Sequence, residues 1–160
     1  MRHANETMSA ALSSADLAAL PLNERIAFGV RARLAVFAPY RMTWASAMAL
    51  GAAPPALPET LRLLAIAADE IWWAAGDRST DASWYSRRVL LMALSAAAET
   101  FMLTDRSADC TDTDAFVARR LEELEAVGTK VKDGASVVAA AGTGVGAVAA
   151  AVCEVLRGVR

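Results

Sequence analysis

The stretch Asp81-Ala-Ser-Trp-Tyr-Ser-Arg-Arg-Val-Leu-Leu-Met-Ala-Leu-Ser-Ala-Ala-Ala-Glu-Thr-Phe-Met-Leu-Thr104 decides the fold. Asp81 suits an N-cap, because its carboxylate can accept the free amide hydrogens of a first helical turn. Neither Gly nor Pro interrupts the residues after it, so the run reads as one long helix to about Thr104. It is apolar nearly all round, through Val89, Leu90, Leu91, Met92, Leu94, Phe101, Met102 and Leu103. A helix of that kind sits at the centre of a bundle or lines a cavity. Glu99 is the exception within it. A lone buried carboxylate needs a partner, and Arg33 and Arg41 are the candidates. Trp84, Arg88, Ser95 and Glu99 share one side of this helix, with Tyr85 at the margin. Two readings fit Trp84, Tyr85 and Arg88. They form an interface cluster of the residue types that dominate binding hot spots, or the aromatics are core and Arg88 pairs with Asp77 or Asp81.

Upstream, Pro58 and Glu59 suit a first helical turn and Gly76 suits the residue just past the last one. Leu61, Leu64, Ala68, Ile71 and Ala75 fall on the inner face of that helix. Arg62, Asp69 and Trp73 fall on the opposite side, so Trp73 is expected at the surface. Asp77 to Thr80 is a polar turn. Further back, Pro21 starts a helix whose inner face is Leu22, Ile26, Val30, Leu34 and Phe37. Pro39 ends or kinks it, a shorter helix spans Tyr40 to Leu50, and Gly51 to Pro58 reads as a loop. Ser13 with Asp16 three residues on resembles a capping box that opens a short helical signal, and His3 lies near a frayed terminus.

Downstream, Asp105 to Thr111 is a loop, and Thr111 with Asp114 repeats the capping pattern. Phe116, Val117, Leu121, Leu124 and Val127 line the inner face of the next helix, with Arg119 and Glu123 as an expected pair outside. From Gly134 to Leu156 the chain is almost all Ala, Val and Gly. Gly142-Thr-Gly-Val-Gly-Ala147 matches a dinucleotide-binding pattern, but that pattern requires a βαβ setting, and the reading is a helix. Gly142, Gly146 and Ala150 have the spacing that allows close helix packing. The tail helix then packs on the domain or a partner subunit, lies against a membrane, or spans one.

Composition narrows the chemistry. Of 160 residues, 56% are hydrophobic and only 5 are Pro and 9 Gly, which suits a helical domain with a real core. The formal net charge of -2 gives no general attraction to nucleic acid. His3 is the sole histidine, which leaves no Ser-His-Asp or Cys-His catalysis and no His-ligated metal site. Cys110 and Cys153 stand far apart and imply neither a disulfide framework nor a zinc cluster. No catalytic residue, metal or cofactor is assigned. An apolar ligand would be lined by large, flexible or aromatic residues of the inner faces: Leu34, Phe37, Trp44, Met48, Leu64, Met92 and Phe101. The same residues equally fill a core.

The run Asp69-Glu-Ile-Trp-Trp-Ala-Ala-Gly-Asp-Arg-Ser-Thr-Asp-Ala-Ser-Trp-Tyr-Ser-Arg-Arg88, with Ala98 to Asp105, Asp112 to Arg120 and Ala38-Pro-Tyr-Arg41, resembles a known family. It is the lipid-binding accessory family of ubiquinone biosynthesis, the ninth of the coenzyme Q protein series, and the likeness spans roughly Leu22 to Lys132. The resemblance implies an all-α helical bundle like the ligand-binding domain of TetR-family regulators, commonly a homodimer. It implies a cavity for isoprenoid quinone or phospholipid, and a partner, the demethoxyubiquinone hydroxylase. The partner patch maps to Asp81, Trp84, Tyr85 and Arg88, with Trp73 beside it. It also implies a mitochondrial protein, peripheral to the inner membrane on the matrix side, with the terminal helix at the membrane surface. Family members carry a helix-turn-helix-like segment before this region. With only about 20 residues before Leu22, that segment is expected to be missing or largely lost, and with a single Arg and two acids in residues 1–20 no transit peptide is expected either. Ala82 stands where the family often has an aromatic residue. The expected organisation is a short segment at 1–20, a helical lipid-binding core at 21–133 and an apolar terminal helix at 134–160. The alternative is a TetR-like small-ligand sensor without its DNA-binding module.

Overall fold

A computed structural model describes residues 1–80 and 82–128, all helices and turns. The Asp81 cap, the side chain of Val127 and every reading of the tail from Gly134 lie outside the described residues. Helices α1 (Arg2–Ser14), α2 (Leu22–Phe37), α3 (Arg41–Ala52), α4 (Leu57–Ala74), α5 (Ala82–Met102) and α6 (Thr111–Gly128) form an all-α bundle. Single 3-10 turns at Ala38–Tyr40 and Ala108–Cys110 lead into α3 and α6. Among the described residues, no helix is long and apolar enough to cross a membrane.

The apolar all-round helix takes the central place its pattern requires. Helix α5 packs against α2, α4 and α6 and buries Val89, Leu91, Met92, Leu94, Ala98 and Met102. The inner faces of α4 and α6 match their spacing, with Leu61, Ala68, Ile71, Phe116, Val117 and Leu121 buried. On α2, Ile26, Val30, Leu34 and Phe37 are buried, but Leu22 is exposed. It occupies the first position of the helix, ahead of the turns that meet the core. Where α2 crosses α4, a Cβ on Gly29 would lie 2.7 Å from Ile71 Cγ1. The glycine sets how closely these two helices approach.

The amino-terminal reading is corrected. Residues 2–14 form a full helix that packs on α2 and α4, with Ala4, Met8 and Leu12 buried. The i, i+4 apolar stripe is real, but polar neighbours on the other faces mask it. Ser13 does not open a helix; it lies in the last turn and donates its hydroxyl to Ser9 O. A hydrogen bond from Arg2 to Glu59 ties α1 to the start of α4, and the hydrogen bonds of Arg62, on α4 itself, and then Arg2 lower the Glu59 pKa to about 2. The loop before α4 is also shorter than expected, since α3 continues to Ala52 and α4 starts at Leu57.

Two further differences concern polar groups. The external pair on α6 is Arg120 with Glu123, not Arg119 with Glu123. Both spacings reach across one helical turn, and Arg120 also lies over the Phe116 ring. The α6 start is held less by its own capping pattern than by buried Asp105, whose carboxylate accepts from the amides and hydroxyls of both Ser107 and Thr113. Burial pushes the Asp105 carboxyl up, but these four donors outweigh it and hold the group well below the usual carboxylate range. At the other end, Arg25 joins separate segments, donating to Ala18 O at 2.9 Å, Leu20 O at 2.7 Å and Ala75 O at 3.1 Å.

Candidate functional site

The site is built where α4 stops and α5 begins. Gly76 has φ +98°, a left-handed conformation that side-chain-bearing residues rarely adopt. Its amide donates to Trp73 O at 3.1 Å, and the Asp77 amide donates to Trp72 O at 2.9 Å. This paired closure is the Schellman stop that the glycine predicts, and it aims the Asp77 side chain back under the turn. Asp77 Oδ1 accepts from the Ser79 amide at 3.2 Å and Arg87 Nη1 at 2.6 Å; Oδ2 accepts from Ser79 Oγ and Arg88 Nη1, both at 3.0 Å. Burial works to raise the Asp77 carboxyl, yet the hydrogen bonds of Arg88 and Ser79, helped by the Arg87 charge, hold it below its ordinary value.

Arg88 completes this frame. It is only 2% exposed, and its Nε donates to Asp69 Oδ1 at 2.6 Å. Its guanidinium lies 4.0 Å from the Trp84 ring centroid, a cation–π contact made at a desolvated position. Trp84 meets Tyr85 edge-on at 4.8 Å, and both rings are half-buried. On α4, Trp72 Nε1 donates to Arg87 O at 3.1 Å. Trp73 is 60% exposed, as its helical position predicts, and Arg78 stacks 3.6 Å from its ring centroid. The turn thus gathers Trp73, Trp84, Tyr85 and Arg88 at one end of the bundle.

Arg88 takes the core-pairing form, with Asp77 as the partner. Helical position marks Asp69 only as a solvent-side residue, and its bond to Arg88 has no sequence-local signal. Trp72, Arg78 and Arg87 carry no such signal either. Arg78 follows Trp73 by five residues, a spacing that means nothing on a helix and becomes a contact only because the chain turns between them.

The apolar candidates form a second region. Leu34, Phe37 and Met92 are buried, while Trp44, Met48, Leu64 and Phe101 are half-buried. Phe37 stacks on Trp44 with centroids 3.9 Å apart, and Phe101 stacks on Phe116 at 4.6 Å. Beside the first pair lies the expected partner of Glu99. Arg33 forms a buried ion pair with it, whereas Arg41 donates to Asp105 O. Trp44 Nε1 donates to the other Glu99 oxygen at 3.2 Å, Arg33 Nε donates to Asn5 Oδ1 at 3.1 Å, and Asn5 Nδ2 donates to Leu63 O at 2.8 Å. Arg33 Nη2 is buried with no protein acceptor.

A groove of about 600 Å³ runs between α1 and α4, flanked by Asn5, Ser9, Arg62, Ile66 and Glu70. A smaller one of about 340 Å³ shares Ser9, Ser13 and Glu70 with it and reaches Trp73. None of the seven apolar candidates lines either groove. Burial, with the Asp69 charge adding to it, raises the Glu70 carboxyl, and Oε2 is buried without a hydrogen-bond partner.

Residues 57–128, which contain α4 to α6 and the whole Gly76–Arg88 turn, match the family model described as COQ9. The chain is similar to the ubiquinone biosynthesis protein COQ9, mitochondrial, of Xenopus tropicalis, with 40% identity over 116 residues, 72% of this chain and 37% of that protein. It is 36% identical to the probable ubiquinone biosynthesis protein coq9, mitochondrial, of Dictyostelium discoideum over 108 residues, 68% of this chain and 35% of the relative. With the Homo sapiens protein of the first name it shares 36% identity over 103 residues, 64% of this chain and 32% of the relative. The chain thus spans about a third of the length of these curated relatives.

Proposed function

Through residues 57–128 the chain belongs to the COQ9 family, and from that premise we propose that it is a non-catalytic lipid-binding accessory protein of ubiquinone biosynthesis. It holds an isoprenoid quinone intermediate or a phospholipid and presents it to the demethoxyubiquinone hydroxylase. It works as a homodimer of TetR-like fold, peripheral to the mitochondrial inner membrane on the matrix side. The observation that carries the reading is the aromatic platform at the α4–α5 turn. Trp73 is exposed, Trp84 and Tyr85 meet edge-on and are half-buried, and Arg88, held by Asp77, lies against the Trp84 ring. Large rigid aromatics over a satisfied polar base suit a docking face, since little side-chain entropy is lost when a partner covers them. In this arrangement Trp73, Trp84 and Tyr85 touch the partner, and the resemblance adds Asp81 to the patch. Arg88 positions Trp84. The lipid lies among Leu34, Phe37, Trp44, Met48, Leu64, Met92 and Phe101, where side chains open on binding.

Two measurements test this. Mass spectrometry of the purified chain is expected to find a bound isoprenoid or phospholipid, and its absence sinks the lipid-holding role. A pull-down with the hydroxylase is expected to be lost in Trp73→Ala and Trp84→Lys and retained in Glu122→Ala on the outer side of α6. Unchanged capture by the tryptophan variants sinks the docking role.

A further inference from the structure

Helix α3 is short of charge on every side but covered on one. Its sequence, Arg-Met-Thr-Trp-Ala-Ser-Ala-Met-Ala-Leu-Gly-Ala, has a single charged residue, and Arg41 is turned inward to Asp105 O. The inner face is short: Trp44 stacks on Phe37, Met48 is half-buried, and Gly51 approaches the Thr60 side chain. The outer face carries Met42, Thr43, Ala45, Ser46, Ala49 and Leu50, all exposed. No residue of α3 is buried. Of the five large apolar residues exposed among the described residues, three fall on or beside this helix: Tyr40 at 62%, Met42 at 90% and Leu50 at 72%. A surface helix in water normally turns charged residues outward, and one that is apolar all round is buried in something.

The charge pattern indicates what covers it. Between Glu24 and Glu59 the chain has no acidic residue, although Asp and Glu total 18 over its length. The exposed face itself is uncharged, with a tyrosine at its rim. That is the composition of an element lying in the headgroup boundary of a bilayer, where acids are disfavoured and Tyr and Trp settle at the interface. A second copy of the chain is a poorer cover. One face of a helix about 18 Å long and about 10 Å wide presents a few hundred Å² at most, against about 800 Å² per partner in a stable protein interface. A bilayer needs neither that area nor a complementary shape.

We propose that the outer face of α3, centred on Met42 and Leu50, is a membrane-contact surface that inserts shallowly into the lipid interface. It deepens the membrane-peripheral reading above and adds a contact distinct from the terminal helix. It also places Trp44, on the covered side of α3, and Phe37 of α2, which stacks on it, next to the lipid phase.

The test uses the full chain with phosphatidylcholine vesicles carrying brominated acyl chains. An environment-sensitive fluorophore is placed at Met42→Cys, or at Glu122→Cys on α6, in a Cys110→Ser/Cys153→Ser background. The probe at 42 is expected to be quenched by the bromines and the probe at 122 is not. In parallel, Met42→Asp/Leu50→Asp is expected to weaken vesicle partition by about tenfold with an unchanged unfolding midpoint, because both side chains lose their burial in lipid. If the chain binds vesicles while the probe at 42 stays unquenched, the α3 contact is overturned and the membrane-peripheral reading stands. If the chain binds no vesicles at all, both fall. If the double variant turns a dimer into a monomer by light scattering and leaves partition unchanged, α3 is a contact between copies and the proposal is overturned.

Discussion

Two arginines, each 2% exposed, solve the same problem in opposite ways. Arg33, on α2, meets Glu99 deep between helices, and both side chains are sealed from water. Arg88, on α5, divides itself between Asp77, which is buried, and Asp69, whose side chain is 53% exposed, and carries an aromatic ring on its outer face. Removing two charges from water is expensive, and the attraction between them returns that loss only when the remaining polar atoms are satisfied. The Arg33 pair leaves Nη2 without an acceptor, so it specifies how α2, α3 and α5 meet more than it strengthens the fold. The Arg88 frame keeps one carboxylate at the surface, which lowers the desolvation penalty and leaves a rigid base under a face that a partner can reach. Burial alone therefore does not separate a lock from a platform; the exposure of the counter-charge does.

The contrast can be broken most forcefully at the sealed pair. Arg33→Met or Glu99→Leu alone strands a buried charge and is expected to destabilise by about 3–5 kcal/mol. Arg33→Met/Glu99→Leu together should recover most of that in chemical denaturation; a double-variant loss equal to the sum of the two single losses would show that the two groups are uncoupled. Next comes Arg88→Met, expected at about 2 kcal/mol because Asp77 keeps Arg87 and Ser79 and Asp69 turns to water. Its signature is a shift of Trp84 emission as the ring loses its cation, together with weaker hydroxylase capture.

Smaller is the acid response. Asp77 and Asp105 have folded-state values below their ordinary 3.8. Their stabilisation is fully present above that value and is lost as pH falls through the depressed folded values. The unfolding free energy should therefore stay flat from neutral pH down to the ordinary carboxylate range and decline below it, and Asp105→Asn should flatten that limb more than Asp77→Asn. Glu70 runs the other way. Its folded value is raised, so the neutral form is favoured at low pH and that benefit fades as pH rises. Glu70→Gln should then be at least as stable as the parent at pH 7 by thermal melting. The smallest effect on stability belongs to Trp73→Ala, under about 0.5 kcal/mol for an exposed side chain, alongside loss of partner capture. A large loss of stability there would make Trp73 a structural residue.

Legibility in the sequence depends on how local each constraint is. The stop at Gly76 is legible because only a left-handed residue closes a helix that way. The need of Glu99 for a cation is legible because a carboxylate in an apolar helix has few ways to exist, and Arg33 is one of two candidates. The exposure of Trp73 follows from the angle of its position around α4. Helix α1 is not legible, since His3, Asn5, Glu6 and Thr7 dilute a stripe that only the neighbouring helices reveal. Nor is the Asp69–Arg88 bond, because periodicity gives the direction of a side chain but not its reach. The docking role proposed for the turn rests on the likeness of a long motif to a family. Its geometry, with Arg88 beneath the aromatics, comes from the fold.

Arg25 gives the bundle a property that belongs to kinetics. One guanidinium ties the backbone of Ala18 and Leu20 to the last carbonyls of α4 at Ala75, immediately before the left-handed Gly76. The α1–α2 connection and the end of α4 are therefore expected to open as one cooperative unit, with matched hydrogen-exchange rates on either side of the clamp. The connection at Ala18 and Ala19, both exposed residues, then becomes a remote reporter. A protease nicking that connection samples the same opening that loosens the aromatic platform, so anything that steadies the platform should slow the cut.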